Sequence, residues 1–339
     1  RHTNMNLVTI NNNKLWSKEK KNLLLGNWCV NNINKYSEEK DIDYLISKYH
    51  WNDRLKFQND LKYVYEIYNL LLEKLCINLN KIHNLSYPIR YWEIILSKWL
   101  WTYLVMIYDR WEIIKSITNK NDKLSTKFFY YDYEKFIPDN DLEFAKSMVH
   151  SEDWNHWVYI EILKFFGIVE YSFVNKDKIQ PQFLYKKEDT SSEYCLHSPI
   201  LGIPSSQKIF SQNLYFSKKF KILYNLVYGQ FRYNKKINTK NLSNTVSMSM
   251  RNSFSATSKK EDVFVKFVWS FIKYNIPKIY LENFNMMKNL ISKKKIPLNP
   301  KIIMTAGDHV FNDAFKFYTA EKVVNGSKYF IFQHGGYYG

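Results

Sequence analysis

Residues Lys328 to Gly339 read K-Y-F-I-F-Q-H-G-G-Y-Y-G, and three of the chain's nine glycines lie within the last five positions. Lys328 to Phe332 is a short apolar run with aromatic residues, which is typical of a buried strand. It leads into a glycine loop around His334, where the backbone lets a ligand approach closely. Three alternatives stay open: glycines that only form a turn, a structural histidine, or a frayed chain end.

A second strand precedes this one along the chain. Lys301 to Thr305 is also short and apolar, and Asp308 follows it as a predicted helix N-cap. Apolar residues then recur at helical spacing from Val310 to Val324. Strand, helix and strand together predict a parallel βαβ unit over residues 301–333. Because open α/β sheets bind ligands at their carboxyl edge, Asp308 and His334 are expected on the same side of the molecule.

The rest of the chain predicts a larger α/β lobe. Apolar spacing indicates an amphipathic helix over 55–82 and a buried helix over 89–117. The polar stretches 175–212 and 234–260 are predicted to be mobile linkers. Other helices are predicted over 151–166, 214–232, 261–274 and 284–292, and short strands over 6–10, 23–26, 127–133, 167–171 and 278–280. These elements predict a single Rossmann-like lobe over 1–339, with a parallel sheet flanked by long helices.

The composition limits the classes of function. The chain has 339 residues, 45% hydrophobic and 18% aromatic, which provides a sizeable core and argues against disorder. The net charge is +17, but only six basic residues are arginine and the lysines are spread along the whole chain. Since arginine is the usual reader of bases, no nucleic-acid partner is expected. The chain starts at Arg1 and ends on a glycine loop, so we expect a fragment of a longer protein.

Cysteine and hydropathy patterns bear on the cellular location. Cys29, Cys76 and Cys195 are isolated, which fits a reducing cytosol and argues against a disulfide framework or a cysteine zinc site. The most apolar stretch, Ile94 to Tyr108, is too short to span a bilayer and carries Lys98. A cytoplasmic location is therefore expected. The lysine excess leaves open a peripheral contact with the anionic inner face of the membrane.

Charged residues flank the apolar helix over 89–117. Arg90 and Glu93 lie near its start, and Asp109 and Arg110 lie near its end. Charges on a buried helix are usually paired, so one interpretation is that these residues pair with one another. The other interpretation is an arginine that faces an anionic ligand, with neighbouring tryptophans suited to stacking on a sugar.

Several segments, taken in order, carry a family resemblance: Leu23–Cys29, Tyr49–Arg54, Arg90–Trp92, Asp109–Trp111, Asn155–Trp157 and Gln333–Gly339. They resemble the transferase family found in O-antigen and surface-polysaccharide gene clusters, and the closing H-G-G-x-Y-G is the most specific element. The resemblance extends over nearly the whole chain but over only the N-terminal half or so of that family's usual length. It implies a glycosyltransferase of the two-lobed GT-B type, with its site between the lobes. This chain would be the N-terminal lobe, with the second lobe missing.

The implied reaction is transfer from a nucleotide-activated sugar to a polysaccharide or lipid-linked acceptor. The acceptor hydroxyl needs a base, and the leaving phosphate needs N–H donors or positive charge. His334 is the candidate base, because the ordinary pKa of histidine lies near neutral. Asp308 either orients His334, acts as the base itself, or is only a helix cap. Substrate contacts are predicted at Trp28, Arg54, Arg90, Arg110, Gln333, Gly335, Gly336, Tyr338 and Gly339.

The sequence shows no acidic D-x-D-like pair in a clear post-strand loop. A metal-independent enzyme without a cofactor is therefore expected. The alternative from another class is a non-enzymatic carbohydrate-binding or scaffold component of the same pathway. The fragment alone is expected to be inactive, because half of the cleft would be absent.

Overall fold

The computed structural model describes residues 5–30, 43–119, 124–167, 169–175, 193–196, 235–238, 242–256, 260–294, 296, 298–305 and 307–331. The statements below concern these residues. The predicted helix over 214–232 lies outside them, as do Gln333, His334, Gly335, Gly336, Tyr338 and Gly339.

Five parallel strands form the main sheet, in the order β3-β2-β1-β4-β5. They are β1 (Met5–Val8), β2 (Asn22–Leu24), β3 (Tyr44–Ile46), β4 (Leu124–Phe129) and β5 (Val169–Val174). The chain moves outward from β1 to β3 and then returns to the other side of β1. In such a sheet the carboxyl edge at this reversal is the usual ligand-binding position. The predicted Rossmann-like α/β class is confirmed, and the comparison with a GT-B lobe stays a prediction.

The two long predicted helices are present as α1 (Arg54–His83) and α2 (Ile89–Thr118). The Asp53 carboxylate caps α1 by accepting hydrogen bonds from the backbone N–H groups of Leu55 and Lys56. Asn84 ends α1 in the left-handed conformation, with φ of 54°. α2 runs through the core against α1 and the helices that follow, so most of its faces are buried.

The helices after β4 surround α2. They are α3 (Asp141–His150), α4 (Glu152–Phe166), α5 (Met248–Arg251), α6 (Val263–Asn275) and α7 (Phe284–Ser292). The indole of the buried Trp99 on α2 donates to the Asn275 carbonyl at 3.1 Å, and the Tyr103 hydroxyl donates to the Val268 carbonyl at 2.8 Å. Because their polar atoms have partners, these large aromatic residues can be buried completely.

The predicted βαβ unit is present at the C-terminal side. β8 (Ile302–Thr305) and β9 (Lys328–Ile331) pair in parallel as a separate two-stranded sheet. Another pair, β6 (Glu193–Leu196) and β7 (Lys235–Asn238), is antiparallel. Within the described ranges, neither pair is hydrogen-bonded to the main sheet. The division of the chain into one large lobe stays a prediction.

The helix between β8 and β9 differs from its prediction. It is divided into α8 (Asp308–Phe311) and α9 (Asp313–Val324). Gly307 occupies the N-cap position, so the prediction that Asp308 caps the helix is wrong by one residue. Asn312 causes the division, because its side chain accepts a hydrogen bond from the Phe315 N–H at 3.1 Å and so begins α9.

The structure corrects one strand prediction and adds two short elements to a predicted linker. Lys278–Tyr280 is a 3-10 turn instead of a strand, and the Lys278 N–H donates to the Pro138 carbonyl. The stretch 234–260 contains β7 and α5, and its role as a mobile linker stays a prediction. Arg251 on α5 is completely buried and binds Glu282 through Nε at 2.7 Å and Nη2 at 2.8 Å. A charged residue therefore anchors a segment whose composition is typical of a loop.

Candidate functional site

A cavity of about 920 Å³ lies at the carboxyl edge of the main sheet, and we call it the sheet-edge cavity. Its walls are the loops after β1, β2 and β3, the middle of α2, and the junction between α3 and α4. It adjoins the strand where the sheet order reverses. Its volume lies in the range of small-molecule sites, and its position is the usual one for ligands in such sheets.

Trp28 of the predicted site lines this cavity. It follows β2 in a 3-10 turn, and its indole Nε1 donates to the Thr9 carbonyl at 3.1 Å. The ring lies against Gly26, where a Cβ atom would approach it to 2.1 Å. Any residue larger than glycine at position 26 would collide with the ring. Gly26 therefore allows the half-buried Trp28 side chain to take its place at the cavity wall.

Asp109 on α2 accepts hydrogen bonds from three side chains. The donors are the Tyr49 hydroxyl at 2.7 Å, His50 Nε2 at 3.1 Å and Arg110 Nη1 at 2.9 Å. Burial, and then the Asp109 carboxylate, raises the pKa of Tyr49, so its phenol stays protonated and donates. Asp109 thus ties the loop after β3 to the middle of α2.

Arg110 also lines the cavity, but most of its donors are already occupied. Its Nε and Nη2 both donate to Asn155 Oδ1, at 3.0 and 2.7 Å, while Nη1 binds Asp109. Asn155 in turn donates to the carbonyls of Met148 and Ser151 at the start of α4. The second Nη1 hydrogen is directed to the Met106 carbonyl at 3.4 Å. Since a guanidinium has five N–H donors, one Nη2 hydrogen is left for a ligand. Arg110 is therefore better described as a paired residue than as an arginine that is free to bind an anionic ligand.

The segment around Asn155 also fixes α4 to the sheet. His156 is completely buried, and its Nδ1 lies 2.5 Å from Thr9 Oγ1 at the end of β1. The Ser151 side chain caps α4, and Glu152 and Asp153 lie in its first turn. His156 is a structural residue that brings the start of α4 to the cavity.

Arg54 and Arg90 do not line the sheet-edge cavity. Arg54 is exposed at the first turn of α1, and Arg90 pairs with Glu93 at 2.7 Å on the surface. Arg90 and Arg110 are twenty residues apart on one helix, which separates them by about 30 Å. One small-molecule site therefore cannot include both arginines.

Asp308 lies at a second carboxyl edge, after β8. Its Oδ1 accepts a hydrogen bond from Asn312 Nδ2 at 3.2 Å. β8 and β9 are parallel, so both strands end at this edge, and α8 packs against α2. The expected neighbour His334 lies beyond the described residues. The structure thus has two separate carboxyl edges, and both lie beside α2.

Sequence reasoning missed Tyr49 and Asn155 as individual site residues, although both lie in segments that carried the family resemblance. Four of those segments, Leu23–Cys29, Tyr49–Arg54, Asp109–Trp111 and Asn155–Trp157, converge at the sheet-edge cavity. Among the residues that the structure describes, no group of three His, Cys, Asp or Glu side chains is placed to hold a metal ion. No helix in the described part has the length and apolarity needed to cross a membrane.

Comparison with known proteins gives one match. No curated protein matches the chain, and no solved structure matches it. One family model does, and its match begins at the start of β1 and extends beyond β9. The matching model describes LIC12162 family transferases and covers residues 5–339, and the chain therefore belongs to this transferase family.

Proposed function

We propose that this protein is a metal-independent glycosyltransferase of O-antigen or cell-surface polysaccharide biosynthesis. It moves a glycosyl group from a nucleotide-activated sugar to a polysaccharide or lipid-linked acceptor, in the cytoplasm at the inner membrane face. Membership of a transferase family supports group transfer. The sheet-edge cavity is the observation that carries the saccharide part of the proposal.

The chemistry of the cavity wall suits a saccharide. Trp28 and Tyr49 offer aromatic faces to the C–H faces of a sugar, and Asn27 and Asn52 offer amides to its hydroxyl groups. Trp28 is held by its bond to a backbone carbonyl, and Tyr49 is held by its bond to a carboxylate. Because these groups are ordered before a ligand arrives, less conformational entropy is lost on binding.

The charge of the cavity favours an uncharged ligand. Asp109 neutralises Arg110, and Glu152 and the exposed Lys48, which carry opposite charges, both line the cavity. Asp153 adds a second carboxylate to the first turn of α4, where an anionic ligand would otherwise be attracted. We therefore assign the acceptor saccharide, and not the nucleotide, to the sheet-edge cavity.

The reaction breaks the bond between the anomeric carbon and the phosphate oxygen of the donor. The acceptor oxygen forms the new bond to that carbon, and its proton passes to a base. We assign the base to His334, oriented by Asp308, and the contacts to the leaving phosphate to Gly335 and Gly336. The roles of the residues after Ile331 rest on the sequence alone.

Saccharide binding with a Trp28→Ala variant tests the acceptor assignment. Isothermal titration of the protein with acceptor oligosaccharides should show an affinity loss of about ten-fold or more, since stacking contributes over 1 kcal/mol. Tyr130→Ala is the control, because Tyr130 is 67% exposed and does not line the cavity. Equal affinities of the two variants would refute the assignment. Saccharide binding without any turnover of a nucleotide sugar would favour the binding or scaffold alternative.

A further inference from the structure

Lys98 differs from the other basic residues of α2. Arg90 pairs with Glu93, Arg110 with Asp109, and Lys115 with Glu112 at 3.1 Å. Lys98 is half-buried between the core residues of α2, and in the described part of the chain it makes no hydrogen bond or ion pair. Partial burial of an unpaired ammonium group costs free energy, so a specific reason for its presence is needed.

His309 on α8 is a titratable residue on which the Lys98 charge acts. α8 packs against α2, and the buried Nδ1 of His309 has no hydrogen-bond partner among the described residues. Burial and then the nearby Lys98 ammonium lower the pKa of His309, and the Asp308 carboxylate opposes this effect more weakly. The more distant Lys316 lowers it slightly further. The ammonium group of Lys98 and an imidazole nitrogen of His309 thus both lack a partner among the described residues, and the two side chains interact electrostatically.

The position of this pair is the carboxyl end of β8. The Thr305 hydroxyl shapes the loop there by accepting hydrogen bonds from the N–H groups of Gly307 at 3.2 Å and Asp308 at 2.9 Å. The space beside Gly307 is open as far as the described residues are concerned, since none of their atoms lies within 4 Å of the position of a Cβ. A ligand can therefore reach the loop from solvent, beside the half-buried Lys98.

We propose that Lys98 and His309 bind phosphate groups at the carboxyl end of β8. An anion would supply the missing partner of Lys98, and by offsetting the Lys98 charge it would favour the protonated form of His309. The nearby charges do not supply that partner. Lys316 is paired with Asp141 and Asp313, and Asp308 accepts from Asn312.

The ligand that best fits is the diphosphate of a nucleotide-activated sugar, and this part rests on the proposed function. Lys98 precedes the cavity residues Met106 and Arg110 by eight and twelve positions on α2, or by about 12 and 18 Å. α3 connects the same two regions. Asp141 at its start binds Lys316 of α9, and His150 at its end lines the sheet-edge cavity. A donor held by its phosphates at Lys98 lies within a few helical turns of an acceptor in the sheet-edge cavity.

Pyrophosphate titration tests the phosphate site directly. Isothermal titration should show binding to the unchanged protein and at least ten-fold weaker binding to Lys98→Met. Lys115→Met is the matched control, because it removes the same charge about 25 Å further along the same helix and should change affinity less than two-fold. His309→Gln provides a second variant outside the helical core. Unchanged affinity in both site variants, or equal losses in the site and control variants, would overturn the proposal.

A stability measurement separates binding from a structural role. Lys98→Met removes an unpaired charge from a mostly apolar helix, so its Tm should equal or exceed that of the unchanged protein. A lower Tm together with weaker binding would indicate a structural lysine and would count against the site. Turnover of nucleotide sugars without pyrophosphate binding would refute this site alone. Lys98-dependent binding without any turnover would instead refute the proposed function.

Discussion

The sheet-edge cavity and the edge after β8 lie beside the same helix, but their charges are arranged in opposite ways. At the cavity, Asp109 and Arg110 neutralise each other and bind Tyr49, His50 and Asn155. At the β8 edge, Lys98 has no described partner, and the Nδ1 of His309 has none either. Paired charges form a wall that suits an uncharged ligand, whereas an unpaired ammonium group beside an open loop favours an anionic ligand.

Asp109→Ala should have the largest effect, because it leaves the Arg110 charge buried without its carboxylate. Removing one partner of a buried ion pair costs about 3–5 kcal/mol of unfolding free energy. Glu93→Ala breaks the exposed Arg90–Glu93 pair at the other end of the same helix and should cost less than about 1 kcal/mol. Urea denaturation measures both. Similar losses in the two variants would contradict the assignment of Asp109 as the structural centre of the cavity wall.

Asp141→Asn should change how stability depends on pH. Burial raises the pKa of the Asp141 carboxyl to about 7, with Lys316 opposing and Asp313 adding to the shift. Because this folded-state pKa is above the ordinary value of 3.8, the protonated carboxyl stabilises the fold at low pH. That contribution is lost as the pH rises from about 4 to about 7, at up to about 1.4 kcal/mol per pH unit.

The check is urea denaturation of both proteins at several pH values. The unfolding free energy of the unchanged protein should fall relative to that of Asp141→Asn across this window. Asparagine resembles the protonated carboxyl, and Lys316 keeps its contact with Asp313 at 2.6 Å. Parallel curves for the two proteins would show that Asp141 does not titrate in this range. The contact between α3 and α9, which connects the sheet-edge cavity with the edge after β8, would then not depend on pH.

Two glycine substitutions, one at each edge, should change stability and binding by smaller amounts and allow the two edges to be compared. Gly26→Ala places a methyl group against the Trp28 ring and should cost about 1 kcal/mol of stability. It should also weaken saccharide binding by roughly ten-fold and change the tryptophan fluorescence, since the ring must move. Gly307→Ala meets open space and has φ of −148°, so neither property should change. Unaltered saccharide binding in Gly26→Ala would argue against Trp28 as a contact.

The periodicity of the sequence was sufficient for the main elements. Parallel strands, the two long helices and the C-terminal βαβ unit follow from local apolar spacing, which depends only on nearby residues. Short segments were harder to predict, because three residues such as Lys278–Tyr280 are too few to show the periodicity of a helix or a strand. Asn312 was missed as a helix start since a polar residue within an apolar run has several possible roles.

The site was only partly predictable. Trp28 and Arg110 were named in advance and line the cavity, but the bonds that join Tyr49, Asp109 and Asn155 connect residues distant in sequence. The separation of Arg90 from Arg110 was available from the sequence, because helical rise alone places them about 30 Å apart. Lys98 was noticed as a break in an apolar run, but its lack of a partner needed the structure.

Turnover of nucleotide sugars tests the central claim most directly. The full-length protein is incubated with an acceptor saccharide and CMP-, UDP-, GDP- or dTDP-sugars, with and without EDTA, and nucleotide release is measured. We expect release with one nucleotide class, unchanged by EDTA and abolished in a His334→Ala variant that keeps its Tm. Absence of release with every donor, or full activity of His334→Ala, would contradict the account.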